Sequence, residues 1–361
     1  VIFVFAGGGT GGHVVPAIAL ANELKSRMHS IFFIGNCNSI EERLAKTNSY
    51  RFYTIAIQKL YRGISVKNLL FPYFLGSSIL KSYHILKQIK PDAVFCTGGF
   101  VSGPVAIAAL WLRIPLFFHE SNSYPGLVTR KLSKHISQTY IAFETSRNYL
   151  KGITPINFGI PIIASDTSSY SISQIGLDPN LPTIIVTGGS QGSLAINKVI
   201  DASLQQILGK GYQLIWQTGK LTYDIFSPKH KNTPSLYMFD FSPDMVKMLS
   251  KCCIAITRAG AMTIAELEEY GVPAILIPLP TAAENHQFFN AKEQQDKGVA
   301  ILLEQSNLCQ ATLMESIDEL TKNLTRYKQH LAKLPINQAA KNIADHVISN
   351  LTSSQGEHNV R

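Results

Sequence analysis

Acidic side chains are scarce in the first part of this chain. Residues 1–160 hold 17 Lys/Arg against 6 Asp/Glu, while the remainder holds 16 and 18, so the halves carry +11 and −2. The N-terminal half is thus the part suited to a polyanion, whether nucleic acid, an anionic membrane face or a phosphorylated substrate, and charge alone does not choose among them. Cysteine is also sparse: five, an odd number, with no C-x-x-C pair and mostly in apolar runs that read as buried strands. This argues against a disulfide framework and for a reducing compartment. No run reaches the ~18 apolar residues of a membrane span. The opening VIFVFAGGG is too short for a signal peptide and lacks a basic leader, so a cytosolic protein is expected. G-K-[ST], H-E-x-x-H, zinc-type spacings and D-x-D are all missing, which leaves little support for a Walker A ATPase or for catalysis by a bound metal.

What is present is apolar and periodic. With 361 residues at 45% hydrophobic, length favours two domains. Short β-rich runs (VIFVF, SIFFIG, FYTIAI, AVFCTG, PLFFHE, TYIAF, then TIIVTG, YQLIWQTG, CIAIT, PAILIP, VAILL) alternate with helical segments. Their continuous apolar character implies strands covered on both faces, hence parallel sheets in an α/β architecture. VIFVFAGGGTGGH before PAIALANELKSRM resembles TIIVTGGSQGS before LAINKVIDASLQQIL, so each half starts its own nucleotide-fold unit. Ala17, Leu20, Ala21 and Leu24 behind Pro16, a residue suited to a first turn, and Ile196, Val199, Ile200, Leu204 and Ile207 have the spacing of amphipathic helices. The segment Thr263 to Tyr270 should be a helix stopped by Gly271 and Pro273. Asn337 to Leu351 reads as a last helix, with a fraying tail behind it. The junction is expected near Gly159-Ile160-Pro161.

Three glycine clusters follow strands: Gly7 to His13, Gly98 to Pro104 and Gly188 to Ser193. Backbone N–H groups at such loops can cradle phosphate, although tight βα turns without a ligand use glycine equally. No G-x-G-x-x-G with a ribose-binding acid stands at the expected distance, which weakens a dehydrogenase reading. His13 closes the first loop, where a neutral imidazole can take a proton from a substrate hydroxyl, or simply be structural. His119 and Glu120 end a strand at a similar edge, to act or to brace the loop after it. Arg258 to Glu266 links a strand to a helix and puts Glu266 about one turn inside it, where it is either a ribose ligand or an exposed helical acid. Glu268 and Glu269 read as exposed. Ala283 to Gln287 offers imidazole and amide groups of the kind that read sugar hydroxyls. From Lys67 to Lys81, an apolar stretch broken by Pro72 and Gly76 and flanked by Lys67, Lys81, Lys87 and Lys90 is either a core helix or an interfacial segment. The basic half-charge favours the membrane face, with Leu70, Phe71, Phe74, Leu75, Lys67 and Lys81 in contact.

Together AGGGTGGHVVPAIALANEL, KPDAVFCTGGFVSGP, PLFFHESNSYPGL, IIVTGGSQGSLAIN, ITRAGAMTIAELEEYGVPAILIPLP and ENHQFFNA, in that order, resemble the MurG family of glycosyltransferase-B enzymes. That family moves N-acetylglucosamine from UDP-GlcNAc to the lipid-linked muramyl-pentapeptide of peptidoglycan synthesis (lipid I to lipid II). The resemblance spans nearly the whole chain. It implies two Rossmann-like, doubly wound parallel-sheet domains facing a deep cleft: 1–160 for acceptor and membrane, 161–336 for UDP-GlcNAc, and helix 337–351 crossing back onto the first. On the acceptor side it implies the loops with Thr10, Gly11, Gly12, Gly99, Phe100, Ser102 and Gly103 at the diphosphate. His13 is the leading candidate base on the muramyl 4-hydroxyl, with Glu120 as a second catalytic candidate and Asn122 beside it. On the donor side it implies Ser190, Gln191 and Gly192 at the nucleotide, Phe241 to Met245 bordering uracil, and Ala261, Met262 and Thr263 presenting helix-end amides. Glu266 would then bind ribose, and His286 and Gln287 the GlcNAc hydroxyls. Chemistry would be inverting, with no metal or cofactor. The expected partners are UDP-GlcNAc, lipid I, the anionic cytoplasmic face of the inner membrane and other cell-wall synthesis proteins, but not nucleic acid.

Two departures from the family pattern stand out. Ile163 occupies the place of a junction arginine, and Phe100 that of a tyrosine. A UDP-GlcNAc 2-epimerase-like isomerase and a non-catalytic nucleotide-sugar-sensing membrane scaffold are the competing readings.

Overall fold

The computed structural model describes residues 1–58, 69–163, 165–230 and 233–358. The chain divides into two compact units, Val1–Ile163 with Asn337–Arg361, and Ala164–Ile336. In unit 1 the strands are β1 (Ile2–Gly7), β2 (Ser30–Asn36), β3 (Arg51–Ile55), β4 (Ala93–Gly98), β5 (Leu116–Glu120), β6 (Gln138–Ile141) and β7 (Ile156–Asn157). The intervening helices are α1 (Gly11–Ser26), α2 (Ile40–Thr47), α3 (Phe71–Ile89), α4 (Ser102–Trp111) and α5 (Leu127–Leu132). Unit 2 contains β8 (Thr183–Thr187), α6 (Leu194–Gly209), β9 (Gln213–Gln217), α7 (Tyr223–His230), β10 (Leu236–Phe239), α8 (Met245–Leu249) and β11 (Ile254–Thr257). It continues with α9 (Ala261–Glu269), β12 (Ala274–Leu276), α10 (His286–Asp296), β13 (Ala300–Leu302), α11 (Gln310–Lys322) and α12 (Leu324–Ala332). The chain then returns to unit 1 as α13 (Ala339–His358).

Both sheets are parallel and doubly wound, in the orders β3-β2-β1-β4-β5-β6-β7 and β10-β9-β8-β11-β12-β13. The apolar runs are strands because both their faces are buried. Along β1, Phe3 and Phe5 join the core cluster that contains α1 and α13, while Val4 and Ala6 join the cluster that contains α3 and α4. A single cluster fills one side of the unit 2 sheet, with Trp216, Ile200 and Leu313 among its members.

Strand order reverses between β1 and β4 in unit 1 and between β8 and β11 in unit 2. Open α/β sheets bind ligands at the carboxyl ends of strands at such switch points. The loops there are Gly7 to Gly12 and Gly98 to Val101 in unit 1, and Gly188 to Ser193 and Arg258 to Gly260 in unit 2.

Several expectations need correction. The helix α1 starts at Gly11, so Pro16 lies in its second turn rather than its first. It is buried almost all round, because α13 covers the face turned away from the sheet. Pro72 does not break the apolar stretch but opens α3, where its missing N–H costs nothing, and Gly76 sits inside that helix. The tail expected to fray is helical as far as His358. Cys96 alone lies inside a strand, while Cys37 and Cys309 are exposed.

Candidate functional site

At the unit 1 switch point His13 stands in the first turn of α1, with Nδ1 3.1 Å from the Thr10 hydroxyl. Its carbonyl accepts the Thr97 hydroxyl at 2.6 Å, which ties the helix start to the end of β4. The imidazole lies against Gly98, where a Cβ would come within 2.9 Å of Cδ2. Gly99 is indispensable here: at φ +79° it is left-handed, and a Cβ would stand 2.1 Å from the Gly8 carbonyl oxygen. The Phe100 ring packs on Gly9. Thr10 is exposed, and Gly11, Gly12, Gly99, Phe100 and Asn122 are half-buried, so a ligand can reach them.

Ser102 and Gly103, expected at the acceptor, are buried. The Ser102 hydroxyl lies 2.9 Å from Ala6 O and 2.8 Å from Gly98 O and accepts the Gly98 N–H, which makes it a staple between β1 and β4. Glu120, the second catalytic candidate, is buried as well. Its carboxylate accepts the Asn122 and Gly126 amides at 3.1 and 2.8 Å and the Thr129 hydroxyl at 3.2 Å. Burial raises its pKa against those bonds, and through them the carboxylate braces the loop after β5. His119 is buried too; its Nε2 donates to the Gly159 carbonyl at 2.9 Å, and burial pushes its pKa down to about 4, so it is neutral. A carboxylate that sequence reasoning missed is Glu41, 1% exposed, which accepts the Gly9 and Asn36 amides at 3.3 and 3.2 Å. It therefore occupies one of the N–H groups of the first glycine loop. The signal for it was the pair Glu41-Glu42 behind the N-cap Ser39: Glu42 closes the cap, and Glu41 turns inward.

At the unit 2 switch point Ser190 and Gln191 are exposed and Gly192 half-buried. Gly192, at φ +84°, meets the β9 loop so closely that a Cβ would stand 2.0 Å from Thr218 O. Gln217, buried and unforeseen, bonds the Thr187 hydroxyl at 2.9 Å and accepts the Ser242 amide at 3.4 Å, which joins the glycine loop to the segment after β10. In that segment Phe241 is 44% exposed, with the Lys220 ammonium 5.5 Å from its ring, and Met245 opens α8. Ala261, Met262 and Thr263 form the first turn of α9 behind the N-cap Gly260.

Glu266 is half-buried, has no hydrogen-bond or ion-pair partner among the described residues, and is pushed up to about 7 by burial alone. Glu268 is not exposed as expected; it is half-buried and 3.7 Å from the Lys297 ammonium. His286 and Gln287 start α10 after two consecutive left-handed residues, Glu284 and Asn285, at φ 52° and 55°. Gln287 Oε1 accepts the Leu279 amide at 2.9 Å, so only its NH2 group is available to a ligand. Ile163 is 45% exposed. Among the described residues no group of three or more His, Cys, Asp or Glu converges as a metal-binding set.

In the stretch assigned to a membrane, Lys67 lies outside the described residues. Phe71, Phe74 and Leu75 pack against the unit 1 core, a correction that follows from their facing the sheet side of α3. Leu70 and Lys81 are exposed, as are Leu69, Tyr73 and Leu80, which had not been singled out. No helix among the described residues is long and apolar enough to cross a membrane.

Residues 3–141 match the glycosyltransferase family 28 N-terminal domain, and residues 183–347 match the family 28 C-terminal domain. A UDP-N-acetylglucosamine--N-acetylmuramyl-(pentapeptide) pyrophosphoryl-undecaprenol N-acetylglucosamine transferase from Flavobacterium psychrophilum is 36% identical over 98% of both chains. The Bacillus pumilus protein of the same name is 34% identical, over 90% of this chain and 92% of its own. The crystal structure of Acinetobacter baumannii MurG superimposes with a TM-score of 0.78 at 26% identity, covering 96% of this chain and 99% of that one. Matched along both units at this level of identity, the chain belongs to the MurG family of glycosyltransferase family 28.

Proposed function

We propose that the protein transfers N-acetylglucosamine from UDP-GlcNAc to the 4-hydroxyl of the muramyl unit of undecaprenyl-pyrophosphoryl-MurNAc-pentapeptide. The observation that carries this reading is Glu266: a half-buried carboxylate without a partner among the described residues, one turn inside the helix that starts at the unit 2 switch point. A vicinal diol supplies the two donors such a group lacks, and the adjacent helix ends suit a diphosphate. Ser190, Gln191 and Gly192 would line the nucleotide, Phe241 and Met245 the uracil, and His286 and the Gln287 NH2 group the sugar. Thr10, Gly11, Gly12, Gly99, Phe100 and Asn122 would line the acceptor.

In the reaction the muramyl O4 forms a bond to C1 of the donor sugar with inversion. The C1–O bond to the diphosphate breaks, its electron pair leaves with UDP, and the hydroxyl proton passes to His13. Amides at the helix ends stabilise the leaving charge, so the reaction needs no metal. The two buried acids Glu41 and Glu120 of unit 1 already accept backbone amides, which leaves their carboxylates poorly suited to the proton transfers of an isomerase and favours transfer.

Exposed Leu69, Leu70, Tyr73 and Leu80 beside Lys81 support docking on the anionic cytoplasmic membrane surface, where the lipid acceptor and other cell-wall enzymes would be met. UDP release from UDP-GlcNAc tests the whole reading. Release should require a short-chain lipid I analogue, persist in EDTA, and fall about 100-fold or more in His13→Ala with UDP affinity retained. Release without acceptor, or UDP-ManNAc as product, would refute it.

A further inference from the structure

Arg258, at the end of β11, is half-buried and spends its four terminal N–H groups on neutral acceptors. Nη1 donates to Ile277 O and Pro278 O at 3.1 and 3.0 Å, and Nη2 donates to Gln305 Oε1 and Ser193 Oγ, both at 2.6 Å. No carboxylate among the described residues pairs with it. Burial lowers its pKa to about 10, which leaves it charged at neutral pH.

Ser193 caps α6 and is 6% exposed. Its oxygen accepts from both Arg258 and the Ile196 amide at 3.4 Å, which fills the two lone pairs of a hydroxyl. Its proton has no acceptor among the described residues. A half-buried cation with no counter-charge and a buried hydroxyl proton with nowhere to go stand at one switch point, next to the glycine loop. Each lacks what an anion would bring.

We infer that Ser193, polarised by Arg258, donates a hydrogen bond to the diphosphate of a nucleoside-diphosphate sugar, with Arg258 as the positioning residue that supplies the charge behind it. This rests on the donor reading of unit 2 and adds to it two residues that the loop's amides do not account for. Ser193 thereby has two tasks, capping the helix and binding phosphate. The arrangement is specific to charge, so it should act on UDP and leave the neutral nucleoside alone.

The test compares UDP with uridine by calorimetric or NMR titration of the full chain, with thermal stability measured in parallel. Ser193→Ala should weaken UDP about 5- to 20-fold, and Ser193→Thr, which keeps the hydroxyl, should restore it. Uridine affinity should move less than about twofold in either variant. Arg258→Gln should weaken UDP about 10- to 100-fold, and adding Ser193→Ala to it should cost less than in the wild type, because the hydroxyl acts through the guanidinium. If Arg258→Gln does not fold, the Ser193 pair decides the matter alone. Equal losses for UDP and uridine in Ser193→Ala, or no loss for UDP, would overturn the inference while the donor reading stands. A wild-type protein that binds neither ligand would overturn both.

Discussion

Glu266 sets the residue scale, because its environment turns a common helical acid into a titratable group near neutrality. With a pKa raised to about 7 in the folded chain against 4.5 ordinarily, the folded state holds a proton that the unfolded state has already released. Stability from this group is therefore full below about pH 4.5 and is lost as pH rises through 7. Glu266→Gln, which removes the cost of ionisation, should raise the unfolding midpoint at pH 8 by the equivalent of about 1–3 kcal/mol and leave it unchanged at pH 4. UDP affinity should run the other way. A diol donates to the ionised carboxylate, so wild-type binding should strengthen between pH 6 and 8 and the variant should be weaker and flat. A midpoint insensitive to pH would remove the buried-carboxylate account. Glu41 and Glu120 show why residue identity alone did not separate ligand groups from braces. Each of the three acids ends a strand or lies in the helix that follows one, and what distinguishes them is whether backbone amides have already taken their oxygens.

Among the elements, α3 is the one whose two faces do different things. Ser78, Ser82, Ile85 and Leu86 are buried, Phe71, Phe74 and Leu75 are partly buried against the core, and Tyr73 and Leu80 are exposed, with Leu69 and Leu70 just ahead of the helix. Membrane contact and core packing were competing readings of one apolar stretch, and the helix packs Phe71, Phe74 and Leu75 on the core while it leaves Tyr73 and Leu80 exposed. Leu69→Ser, Leu70→Ser and Tyr73→Ser together should reduce sedimentation with anionic vesicles several-fold, with the unfolding midpoint within about 2 °C of wild type. Phe74→Ser should instead lower stability by about 2–3 kcal/mol, the cost of a partly buried ring. Unchanged vesicle binding in the triple variant would place any membrane contact elsewhere. Periodicity located α1 correctly and still misjudged it. A 3.6-residue pattern implies one wet face, and only the return of α13 explains a helix buried through Val14, Pro16, Ala17, Ile18, Ala19, Leu20 and Ala21.

On the scale of the molecule, the last helix belongs to the core of the unit where the chain began. Ile343, Ala344 and Val347 are fully buried against α1, Arg27 pairs with Asp345 at 2.5 Å, and the Tyr140 hydroxyl meets His346 Nδ1 at 2.9 Å. Ile343→Ala with Val347→Ala should cost unit 1 about 3–6 kcal/mol and lower the unfolding midpoint, while UDP affinity, which the proposed donor site puts in unit 2, should stay within about twofold. Loss of UDP binding in that variant would contradict the assignment of the donor to unit 2. By itself the sequence determined the α/β class, the two parallel sheets, the positions of the glycine loops and the family, because continuous apolar runs and loop glycines are local constraints that no packing choice can evade. The tertiary structure alone decided which acids are spent on amides, that Ser102 is a staple, that Arg258 reaches Ser193 across 65 positions, and which side of α3 is wet. Those outcomes depend on pairings between segments far apart in the chain, where burial and the number of hydrogen-bond partners are set only once the strands are in order.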